Sequence, residues 1–502
     1  MRRLHAPPVR LLSHGPIRLA GDNRGRRTIS PRNNAYVFGC LTLWGCAVIL
    51  YLTGPYRTQF PLAVFPVSLY FLGHLTFRRI RFDLMTPLSP GNVTQLIFFL
   101  QLVVIPLLII DSGFAQGVLM YLPGPQAIDT ATAIQAVAFL AFAVGFTMMQ
   151  GRHPTGPVER PAASARTVTR AYPVAMGVAF LVLGLFGFFQ LFSSWSAYTS
   201  YLADPHAGTM IFETNDGTVQ GAISTFFRPF LPFAFVFFWA RWVDMKGTRK
   251  GVWRAVLFTV LVGGLTCLAY LSYSFNRGAI IAPLLGILAV FSRSVRRIPI
   301  LLLITLGGVI FYGSLILGEY RSTAQGAAEP ELLAEKVKVV DWIQVYGSAP
   351  QYSGFLIQHM DFGRNLQWGR TILASLLHPV PILGKDFRQT SGVELYNRLI
   401  YGLLPSSDQV IPSAAEWFVN FHIPGVLAAF MLLGVTLAAC NRAFLRAENS
   451  FLAYSVFLAS VWLSFVVVGS IAVLSQIFVY FFWPVYAYVL WRSVGMRAVA
   501  KI

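Results

Sequence analysis

Acidic side chains are scarce in this sequence, with 20 Asp and Glu among 502 residues against 39 Lys and Arg. No Asp-x-Asp pair occurs, so the carboxylates that hold a divalent metal in nucleotide-sugar transferases are missing. There is no phosphate-binding Gly-rich loop ending in Lys-Ser/Thr, no His-Glu-x-x-His and no Gly-x-Ser-x-Gly, which leaves ATP-driven, zinc-protease and serine-hydrolase readings without support. Cysteine is limited to Cys40, Cys46, Cys267 and Cys440, all inside apolar runs and without metal-ligand spacing. They read as small apolar packers rather than as a disulfide framework or a thiolate site. Charged residues of all kinds amount to 12%, too few to cover the surface of a soluble fold of this length.

What is abundant is apolar: 56% of the chain is hydrophobic and the mean hydropathy is +0.61. Runs long enough for a bilayer fall at Ala35–Thr53, Pro61–Phe77, Val93–Ile110, Ala131–Met149, Tyr172–Phe192, Ala222–Ala240, Val252–Tyr273, Gly278–Phe291, Ile298–Leu317, Ser413–Cys440, Phe451–Val473 and Ile477–Trp491. The expected fold is an all-α polytopic membrane protein of about twelve transmembrane helices. Charge supplies a second reading of the topology, because Lys and Arg of short loops stay on the cytoplasmic side. Of the 39 basic residues, 28 fall in the N-terminal tail, the C-terminal tail and every second connection, among them Arg78–Arg81, Arg152–Arg170, Arg241–Arg254, Arg293–Arg297 and Arg442–Arg446. The connections Asp111–Thr130 and Ser193–Gly221 contain acids and no Lys or Arg. Both termini are therefore expected in the cytoplasm, and the net charge of +19 is explained by orientation rather than by nucleic acid. The first 34 residues lack an apolar core and a small-residue cleavage site, so they read as a basic tail and not as a cleaved signal.

One connection is unlike the others. Residues 318–412 run for 95 positions without an apolar segment of membrane length, and the charge pattern puts them outside. The organisation is thus a tail at 1–34, nine spans over 35–317, a large periplasmic loop at 318–412, three spans over 413–491 and a tail at 492–502. Within the loop, Pro330 followed by Leu333, Val337 and Val340 predicts an amphipathic helix to about Tyr346. Gly347, Pro350 and Gly354 read as breakers, and Trp368–Leu377 as a short helix ended by His378-Pro379. A loop of this length is rarely a plain linker.

The candidate chemistry lies on that side. Arg277 follows a short connection and precedes a span of only 14 residues, so it would sit recessed at a positive helix end, suited to an anion. Snorkelling to headgroups, or pairing with Glu319, is the structural alternative. Arg228 before Pro229 and Arg321 in Glu319-Tyr320-Arg321 carry the same two readings. Arg364 and Arg370, interleaved with Phe362 and Trp368, place cations beside aromatic faces, as a sugar-phosphate ligand requires and as an ordinary loop surface also can. His378 reads as a base, as a donor to a leaving phosphate, or as a helix cap. Glu416, in the first turn of the tenth span, reads as catalytic or as first-turn capping. No cofactor or metal is called for by these residues.

Three sequence elements around the loop resemble the Wzy-like O-antigen and oligosaccharide repeat-unit polymerases. They are Leu271-Ser272-Tyr273-Ser274-Phe275-Asn276-Arg277-Gly278-Ala279 before a short span, Trp368-Gly369-Arg370-Thr371 leading to Pro379-Val380-Pro381-Ile382-Leu383-Gly384-Lys385, and Glu416-Trp417-Phe418-Val419-Asn420-Phe421 before Gly425 and Leu427. Their order covers roughly residues 250 to 440. The chain departs from the pattern at His422-Ile423-Pro424, where a Gly is typical, and at Asn276, where Ser is common. The resemblance implies a GT-C-like fold in a bacterial inner membrane and a glycosyltransferase that joins a growing glycan from one polyprenyl-diphosphate carrier to another lipid-linked repeat unit. It also implies a chain-length regulator and a flippase as partners, and O-antigen, capsule or exopolysaccharide as product. Two alternatives share the layout: an O-antigen ligase or other polyprenyl-phosphate-sugar transferase, and a lipid-linked oligosaccharide transporter. The absence of visible similarity between halves and the near absence of charge inside the spans weigh against the transporter.

Overall fold

The computed structural model describes residues 31–83, 86–113, 123–150, 171–203, 218–246, 251–273, 277–324, 343–344, 347, 349–360, 366–380, 387, 389–401 and 411–499. Among them every regular element is helical. In chain order these are α1 (Pro31–Thr53), α2 (Val64–Thr76), α3 (Pro90–Phe99), α4 (Ile105–Ser112), α5 (Pro125–Gln150), α6 (Val174–Phe192), α7 (Trp195–Ala203), α8 (Val219–Phe227), α9 (Phe230–Lys246), α10 (Val252–Leu271), α11 (Arg277–Ser294) and α12 (Ile300–Ala324). After them come α13 (Ala349–His359), α14 (Arg370–Leu377), α15 (Gly392–Tyr401), α16 (Ser413–Arg446), α17 (Ser450–Phe465), α18 (Ile471–Tyr480) and α19 (Trp483–Val499).

Seven helical stretches are long and apolar enough to cross a membrane, and an eighth is obtained if α18 and α19, bent by 53°, count as one. α2, α17, Gly278–Ser294 of α11 and Ile300–Ile310 of α12 are apolar but shorter. Each of the twelve apolar runs falls mainly on helix, several helices extend beyond their run, and besides Ala222–Ala240, which breaks between α8 and α9, two runs are interrupted. The run Phe451–Val473 stops at Phe465 and resumes as α18, and Ile477–Trp491 is two helices rather than one. Pro484 explains the second break: it has no N–H to give to the carbonyl four residues earlier, and its ring crowds that carbonyl. Pro229 does the same between α8 and α9. Ahead of Pro106, the α3–α4 stretch answers the missing N–H with a π turn at Leu100–Val104.

Two apolar cores organise the bundle. One gathers Tyr70, Phe98, Phe139, Phe142 and Phe430 from α2, α3, α5 and α16, and the other Phe180, Phe237, Trp239, Phe451 and Tyr488 from α6, α9, α17 and α19. α5 and α16 meet backbone to backbone, since a Cβ at Gly145 would collide with the Met431 carbonyl and one at Gly434 with that of Phe142. Such close approach is the usual source of helix affinity in lipid, where no hydrophobic gain is available. Outward faces such as Phe38, Leu43 and Ile49 of α1 and Leu257, Val260 and Leu261 of α10 are exposed and apolar. Together with the span-length helices they define a membrane-embedded protein.

The long connection before α16 is not simply laid over the bundle. Ile343 packs against the apolar cluster that contains Ile105, Ile109 and Ile110 of α4 and Ile128 of α5. Gly347 reaches Leu100, Gln101 and Ile105, and α13 then returns along α5, with Gly354 on Ile128 and the Gln358 side chain accepting from the Gly124 N–H at 2.6 Å. This hairpin corrects the reading of Pro350 and Gly354 as breakers, because both lie in α13. Pro350 occupies its first turn, where no intrahelical N–H is needed. Gly354 is there because a Cβ would lie 3.2 Å from the Ile128 backbone. The helix expected over Pro330–Tyr346 falls, apart from residues 343–344, outside the described residues.

Candidate functional site

α14 is the anchor of the loop. Its entry is a tight turn in which Trp368 and Gly369 both take positive φ, 46° and 87°, and the Gly369 N–H donates to Asn420 Oδ1 at 2.8 Å. The Asn420 amide nitrogen donates to Thr371 Oγ1 at 2.6 Å and to the Glu416 carbonyl at 2.7 Å. One turn further, Ser375 Oγ donates to Glu416 Oε1 at 2.6 Å. Glu416 and Asn420 are fully buried. The Gly392 and Ile471 N–H groups, at the starts of α15 and α18, face the same carboxylate, while its Oε2 lacks a hydrogen bond of good geometry. Glu416 therefore ties together the first turns or sides of four helices. Its oxygens point into the protein.

The far end of α14 is held by α18. Ser475 Oγ donates to the Ser375 carbonyl at 2.7 Å and the Tyr480 hydroxyl donates to the Pro379 carbonyl, so side chains satisfy carbonyls that a helix C-terminus leaves open. Between them the Gln476 amide nitrogen donates to His378 Nδ1 at 2.8 Å, an arrangement that keeps the ring proton of a neutral imidazole on Nε2. His378 is half-buried and Arg370, at the start of α14, is exposed beside the exposed Trp368.

Arg228 lies at the α8–α9 break and is 6% exposed. Its guanidinium carbon stands 3.9 Å from the centre of the Tyr273 ring, and Nη1 donates to the Ser272 carbonyl at 2.9 Å. The Tyr198 and Tyr201 hydroxyls of α7 donate to the Leu268 and Leu271 carbonyls. Three side chains from other elements thus cap the end of α10, and a cation there is favoured by the helix dipole. Tyr273 in turn packs on Phe481 at 4.8 Å, and Phe226 on Tyr480 at 5.2 Å. The α8–α9 break, the end of α10 and the α18–α19 break therefore converge, and Tyr480 joins this corner to the residue after His378.

The structure brings His378, Glu416 and Arg370 onto or against one short helix, and it links Arg228 to that helix through Tyr273, Phe481 and Tyr480. Arg277 is the first residue of α11, four positions beyond Tyr273, and Arg321 lies in the last turn of α12; their side chains are outside the described residues, as is the whole of Arg364. α11 continues to Ser294, 18 residues in place of 14. Residues with strong roles here that were not singled out are Ser375, Gln476, Tyr480 and Tyr273. Only Gln476 carries a visible signal, an amide in the short gap between two apolar runs; the others look like ordinary helix residues until α14 and α18 are placed side by side. Among the described residues no group of three His, Cys, Asp or Glu is gathered as a metal site. No family model, curated protein or solved structure matches the chain.

Proposed function

We propose that this is a membrane glycosyltransferase of twelve spans, with both termini in the cytoplasm of a bacterial inner-membrane topology, that polymerises polyprenyl-diphosphate-linked repeat units on the outer face. The observation carrying this reading is the meeting of three helix ends beside α14, where the buried Arg228 guanidinium lies on Tyr273, four positions along the chain from Arg277 at the head of α11. A lipid-linked diphosphate needs recessed cations reachable from the apolar side, and a developing diphosphate is stabilised by such preset charge. In the proposed reaction an acceptor sugar hydroxyl bonds to the anomeric carbon as the carbon–oxygen bond to the diphosphate breaks. The hydroxyl proton passes, in net terms, to the released polyprenyl diphosphate. Arg277 and Arg228, with Arg370, Arg321 and Arg364 of the loop, are the proposed diphosphate and sugar-phosphate contacts, and His378 Nε2–H is a donor to the leaving oxygen. Glu416 is a positioning residue that fixes α14.

Purified protein supplied with lipid-linked repeat units is expected to form longer lipid-linked oligomers, and Arg277→Ala to lower that rate at least about 100-fold, the scale of losing a transition-state charge contact, while remaining inserted. Transfer to a different lipid acceptor would instead identify a ligase. One observation favours a second reading: a hairpin that re-enters the bundle and several interrupted helices also occur in transporters. Counterflow of lipid-linked oligosaccharide across vesicles without bond formation would decide for that class.

A further inference from the structure

The hairpin to which the described residues 343–344, 347 and 349–359 belong reaches deep into the bundle. Gly354 lies on Ile128 and Gln358 at Gly124, an antiparallel register; continued seven residues, it runs from Gly354 back to Gly347 and from Ile128 on to Gln135, which shares Ile128's face of α5. Gln135 is ten residues along α5 from Pro125, about 15 Å at 1.5 Å per residue. From the other side Gln101 arrives on the π turn: its Oε1 accepts from the Ala349 N–H at 3.2 Å, and its Nε2 lies 3.6 Å from where a Gly347 Cβ would stand. Gln351, one turn after Gly347, donates to Gln344 Oε1 at 3.4 Å.

These amides are enclosed and incompletely used. Gln101, Gln135 and Gln351 are each at most 1% exposed, and Gln101 Nε2, both polar atoms of Gln135 and Gln351 Oε1 have no hydrogen-bond partner among the described residues. Buried amide groups without partners are expensive, and native proteins rarely tolerate a cluster of them. Two donors and two acceptors around the N-terminus of α13 carry no formal charge. Asp129, the acid on the same helix, is turned to the Leu62 N–H at 3.1 Å. A phosphate would face the free amide oxygens and a metal ion the free N–H groups. A hydroxyl, which donates and accepts, matches both.

We propose that Gln101, Gln135 and Gln351 form a binding site for uncharged hydroxyl groups at the tip of the re-entrant hairpin, whose occupant is a neutral sugar or ordered water. The site is independent of the glycosyl-transfer reading, and its test requires no turnover. Full-length protein in detergent is compared with Gln101→Leu, Gln135→Leu and Gln351→Leu, with Gln135→Met as a closer isostere should a Leu variant not fold. Thermal unfolding is followed with and without glucose, galactose or mannose, with glucuronate as the charged control. If a sugar occupies the site, the neutral sugars raise the wild-type Tm by more than about 2 °C and the variants lose this rise, while glucuronate gives none. If water occupies it, the variants unfold at least about 2 °C lower without any sugar. Variants that match or exceed the wild-type Tm and respond to sugars as the wild type does would overturn the proposal, since removing amides that bind nothing costs nothing.

Discussion

His422 holds an unusual backbone. At φ 56° and ψ −154° it interrupts α16 in a region that glycine alone occupies readily, and Pro424 follows, so the helix above it, with Glu416 and Asn420, is aimed separately from the helix below. A Gly is what the expected motif around Glu416 calls for at this position, so His422 stood out as a departure from an expectation, while the backbone reason for it did not. Both His422→Gly and His422→Ala lose the ring that packs 4.4 Å from Phe418, but only glycine relieves the backbone. The glycine variant is expected to be more stable than the alanine variant by about 1–3 kcal/mol, read as the difference in Tm between the two. Equal stabilities would show that the conformation carries no strain. Glu416 teaches the complementary lesson: first-turn acids usually cap in water, yet this one is buried against Ser375, and nothing within the local sequence announces that a loop helix will cover it.

At the scale of elements, the docking of α13 on α5 rests on a close backbone contact at Gly354, where even a Cβ would stand 3.2 Å from Ile128. Gly354→Leu must push α13 from Ile128, and overpacking of this kind costs about 1–3 kcal/mol; the variant is expected to lower Tm and to open the hairpin to protease. Gly39→Leu on α1, where a side chain meets nothing within 4 Å, is the control and is expected to leave both unchanged. If the two variants behave alike, the hairpin is not held by this contact. The position of Gly354 also shows why the hairpin was not legible. Periodicity finds helices that bury one apolar stripe, whereas α13 buries Gln351, Ser353 and Gly354 alongside Phe355 and Leu356, and such a mixed face looks like a broken loop. α14 was legible, because it starts at a Trp-Gly turn and ends at His-Pro, and both signals are local. The α18–α19 break was written in Pro484 but hidden inside a run of apolar residues long enough to pass for one span.

For the whole molecule the decisive quantity is sidedness. Apolar length recovers all the long helices, since a bilayer imposes a minimum length that few other structures require, but the assignment of faces rests on Lys and Arg alone. Accessibility of single cysteines separates the two. With Cys40, Cys46, Cys267 and Cys440 replaced, a cysteine at Gln358, exposed at the open end of the hairpin, is expected to react with an impermeant maleimide in intact cells. A cysteine at Trp253, 84% exposed beside Arg254, is expected to react only after the membrane is opened. One at Ala349, 1% exposed at the deep end of the hairpin, is expected to stay unlabelled in both conditions. Labelling at 253 in intact cells would invert the topology and move the loop, with the α14 site, to the cytoplasm, where a reaction on outward-facing lipid-linked glycan is impossible. Labelling at 349 alone would leave the topology standing but show that the hairpin tip opens to the outer solution, giving its amides a route to a soluble sugar.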